Sequence, residues 1–181
     1  ELEYAALRKH CVLVDQPHRA IIEITGKDRM PFLDSMLTQD LDSLPDFSCR
    51  HSFWLNNKGR IDSDLRVLIL PDRVLLDVDI HAAERTLATL SGYVIAEDVI
   101  FRSLQEETHR IALHCPSGQR LLHELAGTPS DGLANLTAAP ITLFGHDTTV
   151  YRDDSTGAPG LELIVPASGA VEIYQKLVDA G

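Results

Sequence analysis

Cysteine is scarce in this 181-residue chain: Cys11, Cys49 and Cys115 are odd in number, far apart, and form no Cys-x-x-Cys pair. That excludes a zinc site built on paired cysteines and argues against a disulfide framework. No apolar run approaches the ~20 residues a bilayer-spanning helix needs, and no basic-then-apolar stretch opens the sequence. Nor is there a Lys/Arg run. Sixteen basic against 27 acidic residues give a net charge of -11, which argues against a partner held mainly through a phosphate backbone and reads as solubility. The conventional catalytic signatures Gly-x-Ser-x-Gly, Gly-x4-Gly-Lys-[Ser/Thr], His-Glu-x-x-His and Gly-x-Gly-x-x-Gly are missing too. No local repeat with a period of roughly 20 to 50 residues appears. These absences leave a cytoplasmic protein with no membrane and no direct nucleic-acid partner as the expectation.

A chain of this length buries roughly 70% of its unfolded surface and needs no staples. Hydrophobic periodicity predicts a short helix over Leu2 to His10 and strands over 12–15 and 20–25, then a helix from Gly26 to about Leu37. Two strands follow, 49–55 and 61–70, then a third over 74–79 and a helix over 82–90. The second half repeats the grammar: strands at 99–104 and 110–114, a helix from Pro116 to about Leu125, and a loop around Gly127 to Gly132. A hairpin comes next at 141–144 and 148–152, then a strand at 161–165. Ser168 is expected to cap a last helix with Val171, Tyr174, Leu177 and Val178 inward. The class is α+β, with mixed or antiparallel sheets and helices packed on them.

The most informative stretch is Leu55 to Val67. Asn56-Asn57-Lys58-Gly59 supplies a tight hairpin turn. Alternation at period two then sends Asp62 and Asp64 to one strand face and Ile61, Ser63 and Leu65 to the other. Cys49 and His51 lie two apart on the partner strand, but two ligands make no metal site. Gly157-Ala158-Pro159-Gly160 precedes a strand, so it is a turn and not a phosphate loop. Asp15, Asp154 or Glu162 can each pair with one of eight histidines, and nothing in the spacing chooses among them.

Three segments together resemble the folate-binding aminomethyltransferase (glycine-cleavage T-protein) superfamily. The first runs from Asp15-Gln16-Pro17-His18 through Ile22 to Gly26 and on to Leu37-Thr38-Gln39-Asp40-Leu41, similar to the family's D-x-x-H, I-x-V-x-G and L-T-x-D-V elements. The second is Leu55 to Val67, similar to L-N-x-x-G-x-x-x-D-D-L-x-V. The third, Thr156-Gly157-Ala158-Pro159-Gly160-Leu161-Glu162 on to Pro166, is similar to T-G-E-x-G-x-E-x-x-x-P.

The resemblance implies a tetrahydrofolate pocket and, beyond Gly181, the family's C-terminal β-barrel, so a fragment lacking that barrel is expected. It divides the chain into 1–44 as the first part of a folate-binding domain, 45–137 as a compact α+β subdomain, and 138–181 as a return segment. It also implies roles. Ser63 stands where the family's catalytic Asp would be, with Asp64 adjacent, and Glu162 matches the pterin-binding Glu. His51 is a pocket candidate by proximity. The family's Tyr-Thr-Gly-Glu becomes Ser155-Thr156-Gly157-Ala158.

Lys58-Gly59-Arg60 and the replaced Asp look more like the YgfZ-type branch, which implies iron–sulfur cluster assembly or repair, iron–sulfur proteins as partners, and no glycine-cleavage activity. The alternative is a folate-dependent aminomethyl- or demethylating transferase in which Asp64 or Asp62 takes over. A third reading is an interaction domain that has lost folate.

Overall fold

A computed structural model describes residues 10–126 and 132–180. The expected first helix and the tip of the 127–132 loop lie outside the described residues. The chain divides into two compact units, 17–106 and a discontinuous one made of 1–16 with 107–181.

In the 17–106 unit, β2 (Arg19–Thr25), α1 (Arg29–Met36), β3 (Cys49–Leu55), β4 (Ile61–Ile69), β5 (Val74–Asp79), α2 (Ile80–Ser91) and β6 (Ile100–Ser103) follow in order. The strands form one sheet, β3-β4-β5-β2-β6, with every pairing antiparallel. Period-two alternation gives it a face of Ile22, Ile24, Leu65, Val67, Leu76 and Val78. Phe32 and Leu33 of α1 and Ala83 and Leu90 of α2 cover that face. At the β2–α1 corner Gly26 has φ +103°, and a Cβ there would run into the Asp98 carbonyl, so the corner needs glycine.

The other unit holds β1 (Val12–Asp15), β7 (Thr108–His114), α3 (Gly118–Ala126), β8 (Ala138–Leu143), β9 (His146–Arg152), β10 (Gly160–Pro166), a 3₁₀ turn (Ala167–Gly169) and α4 (Ala170–Ala180). Its sheet runs β1-β7-β10-β9-β8, again wholly antiparallel. One face, with Ile111, Leu113, Leu161, Leu163 and Val165, packs against Leu122 of α3 and Ile173 of α4. Arg110, His114 and Glu162 alternate with those residues and point to the opposite face.

The unit boundary differs from the expected 1–44, 45–137 and 138–181 division. β2 pairs between β5 and β6, which places residues 17–44 with the middle of the chain and not with the return segment. The last helix is also turned from expectation. Its inward stripe is Ala170, Ile173 and Leu177, whereas Val171 and Val178 are exposed. Ser168 lies inside the 3₁₀ turn, and the α-helix starts at Ala170.

One expectation about cysteine fails outright. Cys11 and Cys115 form a disulfide across a separation of 104 residues. β1 and β7 are in register at Val12–His114, so the next pair outward is Cys11 opposite Cys115, with Cα atoms 4.4 Å apart. Cys49 is buried and takes no part in a disulfide. The cysteine-based ground for a reducing compartment therefore falls away. Among the described residues no helix is long and apolar enough to cross a membrane.

Candidate functional site

The β3–β4 hairpin forms as expected, with Gly59 at φ +70° in its turn. The Asn56 side chain braces the turn, its Oδ1 accepting from the Lys58 and Arg60 backbone N–H groups at 2.9 and 3.2 Å. The strands pair Trp54 with Ser63 but Leu55 with Ile61, a bulge that leaves Asp62 without a cross-strand partner.

That bulge separates the two acids expected on one face. Asp62 receives a hydrogen bond from Asn56 Nδ2 at 2.9 Å and an ion pair from Arg85 of α2. The Arg85 and Asn56 hydrogen bonds hold its carboxyl below the usual carboxylate range. It borders a groove of about 350 Å³ with Trp54, Thr89 and Tyr93. Asp64 instead accepts from His51 Nε2 at 2.7 Å, both side chains largely exposed, with Arg66 at 3.7 Å. His51 and Asp64 thus come together as a surface pair.

Ser63 is buried at 3% exposure, and its Oγ has no hydrogen-bond partner among the described residues. Buried hydroxyls are nearly always satisfied, so an orphan of this kind is a natural place for a ligand atom.

Glu162 lies in the other unit, on β10, and is described by itself. It is buried, not the solvent-facing strand residue its position allows. Its Oε2 accepts from the Arg110 guanidinium at 2.6 Å, and its Oε1 stands 3.8 Å from His114 Nε2, beyond hydrogen-bond distance. Arg110, 2% exposed, also donates to Tyr151 Oη at 2.9 Å and Gln16 Oε1 at 3.2 Å, and lies over the Tyr151 ring. Arg110, Tyr151, Gln16 and His114 had no sequence role assigned. The available signal was an arginine opening an otherwise apolar strand, one residue out of phase with its buried neighbours Ile111 and Leu113.

The turn that delivers Glu162 is itself anchored. Asp154 accepts from Arg152 Nη2 at 2.7 Å and from the Gly160 N–H at 3.2 Å, fixing the start of β10. The Arg152 hydrogen bond, helped by Gly160, holds the Asp154 carboxyl below its ordinary 3.8. A depressed folded-state value means stability that is present above about pH 4 and lost as pH falls through the lowered value. Asp154→Asn is therefore expected to flatten the acid limb of a stability-versus-pH curve below about pH 4, measured by denaturant titration.

A buried carboxylate with one oxygen outside hydrogen-bond reach can accept an N–H from a guanidine-like pterin edge. The orphan Ser63 hydroxyl can donate or accept. Among the described residues no group of three or more His, Cys, Asp or Glu is placed to hold a metal ion.

Two antiparallel α+β units with these three sequence segments define the N-terminal domain type of the aminomethyltransferases. Residues 1–181 match the GCVT N-terminal domain throughout, and the chain belongs to that family. It is 28% identical over 181 residues to an aminomethyltransferase from Chloroherpeton thalassium, covering 99% of this chain and 50% of the relative. An aminomethyltransferase from Thermotoga maritima is 28% identical over 178 residues, covering 98% and 49%. The solved glycine cleavage system aminomethyltransferase T from Bartonella henselae superposes with a TM-score of 0.83 at 25% identity, over 96% of this chain and 47% of that one. The chain spans about half the length of the curated relatives it matches.

Proposed function

We propose that this chain is the folate-binding region of a T-protein-like protein, and that it holds a reduced folate without catalysing glycine-cleavage aminomethyl transfer. The observation that carries the second half is Ser63, buried with an unpartnered hydroxyl where the resemblance places a catalytic carboxylate. A hydroxyl cannot carry a negative charge near neutral pH, and losing a pre-organised charge of this kind costs on the order of 10²–10³ in rate. Glu162 supports the binding half. Folate supplies a carrier for one-carbon units; Glu162 would accept from its pterin, and the Arg110 hydrogen bond holds the carboxylate in place. The iron–sulfur role belongs to this reading through the Lys58-Gly59-Arg60 turn and Ser63 alone.

Titrating the full-length protein with tetrahydrofolate tests it. Saturable binding is expected, weakened about tenfold or more by Glu162→Ala, in line with a charge-assisted hydrogen bond of about 1.5–3 kcal/mol. Affinity unchanged by that substitution would sink the residue's role. Absence of any folate-induced thermal shift would point to an interaction domain that has lost the ligand.

A second reading is an active aminomethyltransferase, favoured by the names of the relatives at 28% identity. Asp64 or Asp62 would then supply the carboxylate, although Asp62 is already paired with Arg85 and Asp64 with His51. Turnover with a methylamine donor and tetrahydrofolate, abolished by Asp64→Ala, would establish this second reading and overturn the first.

A further inference from the structure

The unit of β7 and α4 carries a second cavity, on the helix-covered face of its sheet and therefore across the sheet from Glu162. It measures about 560 Å³, large enough for a small organic ligand. Ile111, Ala170, Val171 and Tyr174 give it apolar walls, and Asp15 and His109 also line it. Val171 is 84% exposed, an apolar lip that the fold's own packing does not use.

Asp15 and His109 make the cavity chemically specific. His109 Nε2 lies 2.5 Å from Asp15 Oδ1, and with the proton on Nε2 the imidazole donates to the carboxylate. That bond fixes the carboxylate's orientation, leaving Oδ2 for a ligand. Among the described residues Asp15 is the one acidic side chain lining the cavity, and no lysine or arginine lines it. An anion set against an aliphatic and aromatic wall complements a compact apolar body that ends in a positive charge. A carboxylate ligand would meet repulsion from Asp15. A neutral apolar ligand would leave Asp15 and His109 unused.

We infer that this cavity is a binding site for a small primary amine, with Asp15 as the counter-ion for its ammonium group, His109 as the positioning residue, and Tyr174 and Val171 against its apolar body. The site is separate from the folate reading: Asp15 shares a sheet face with Ile111, and Glu162 lies on the other.

The probes are benzylamine and its neutral counterpart benzyl alcohol, each titrated into the full-length protein by calorimetry or ligand-observed NMR. Benzylamine is expected to bind at least tenfold more tightly than benzyl alcohol. Asp15→Asn should erase that difference while leaving benzyl alcohol binding unchanged. Tyr174→Ala should weaken both probes alike. Should Asp15→Asn fold poorly, His109→Gln serves instead and should reduce the preference for the amine. Glu162→Gln should leave benzylamine binding untouched, which keeps failure of the folate reading distinct from failure here. Equal affinity for the two probes, binding of neither by the full-length protein, or an unchanged preference in Asp15→Asn would each overturn the proposal.

Discussion

Arg110→Met is expected to destabilise its unit by about 3–5 kcal/mol, the usual cost of leaving one member of a buried ion pair behind. Arg110 is 2% exposed and holds Glu162, Tyr151 and Gln16 at once. Without it the Glu162 carboxylate keeps its burial and loses its counter-charge. The double variant Arg110→Met/Glu162→Gln should recover at least half of the loss, because no uncompensated charge remains. The double-mutant cycle reads the coupling directly. The single tryptophan, Trp54, sits in the other unit, so its fluorescence is the wrong probe. Amide hydrogen exchange of β7 and β10 reports the unit concerned. Strictly additive effects would mean that the ion pair contributes no specific coupling.

Reducing the Cys11–Cys115 disulfide, or replacing both cysteines with serine, should cost a similar amount. The bond spans 104 residues. For a closed loop of about 100 residues the chain-entropy account gives roughly 4.7 kcal/mol, with measured values more often about 2–4. The effect should concentrate at one edge of the sheet. β1 is only four residues long, pairs with a single neighbour among the described residues, and ends at Asp15, just before Gln16, whose backbone N–H donates to the Arg110 carbonyl. Faster amide exchange in residues 12–16 under reducing conditions is the expected signature. Equal exchange with and without reductant would show that strand pairing alone secures the edge.

How far the sequence carried can be judged from particular elements. The hairpin of β3 and β4 was legible because alternation and an Asn-Asn-Lys-Gly turn are local signals. So was the antiparallel α+β class. The facing of Asp62 was not, because a bulge between Trp54 and Leu55 resets the period that the prediction relied on. The inner stripe of α4 was misread because Val171 and Val178 are apolar at helical spacing yet lie outside it, while small Ala170 lies inside. The disulfide depends on a strand register between residues a hundred positions apart, which no local pattern carries.

Site residues divide the same way. Ser63, Asp64 and Glu162 were singled out by motif position, and His51 by proximity on the partner strand. The surroundings that give Glu162 its character, Arg110 above all, come from three further strands or strand ends. Such long-range contacts are set by topology and not by spacing along the chain.

The place where the chain leaves and rejoins the discontinuous unit has an evolutionary consequence. The chain leaves after Gln16, whose N–H is 3.0 Å from the carbonyl of Arg110, three residues past the return at 107. The sheet of 17–106 draws all five of its strands from that segment. A gene encoding this protein could gain, lose or exchange that segment as a cassette, because its removal leaves the five strands of the other sheet in place.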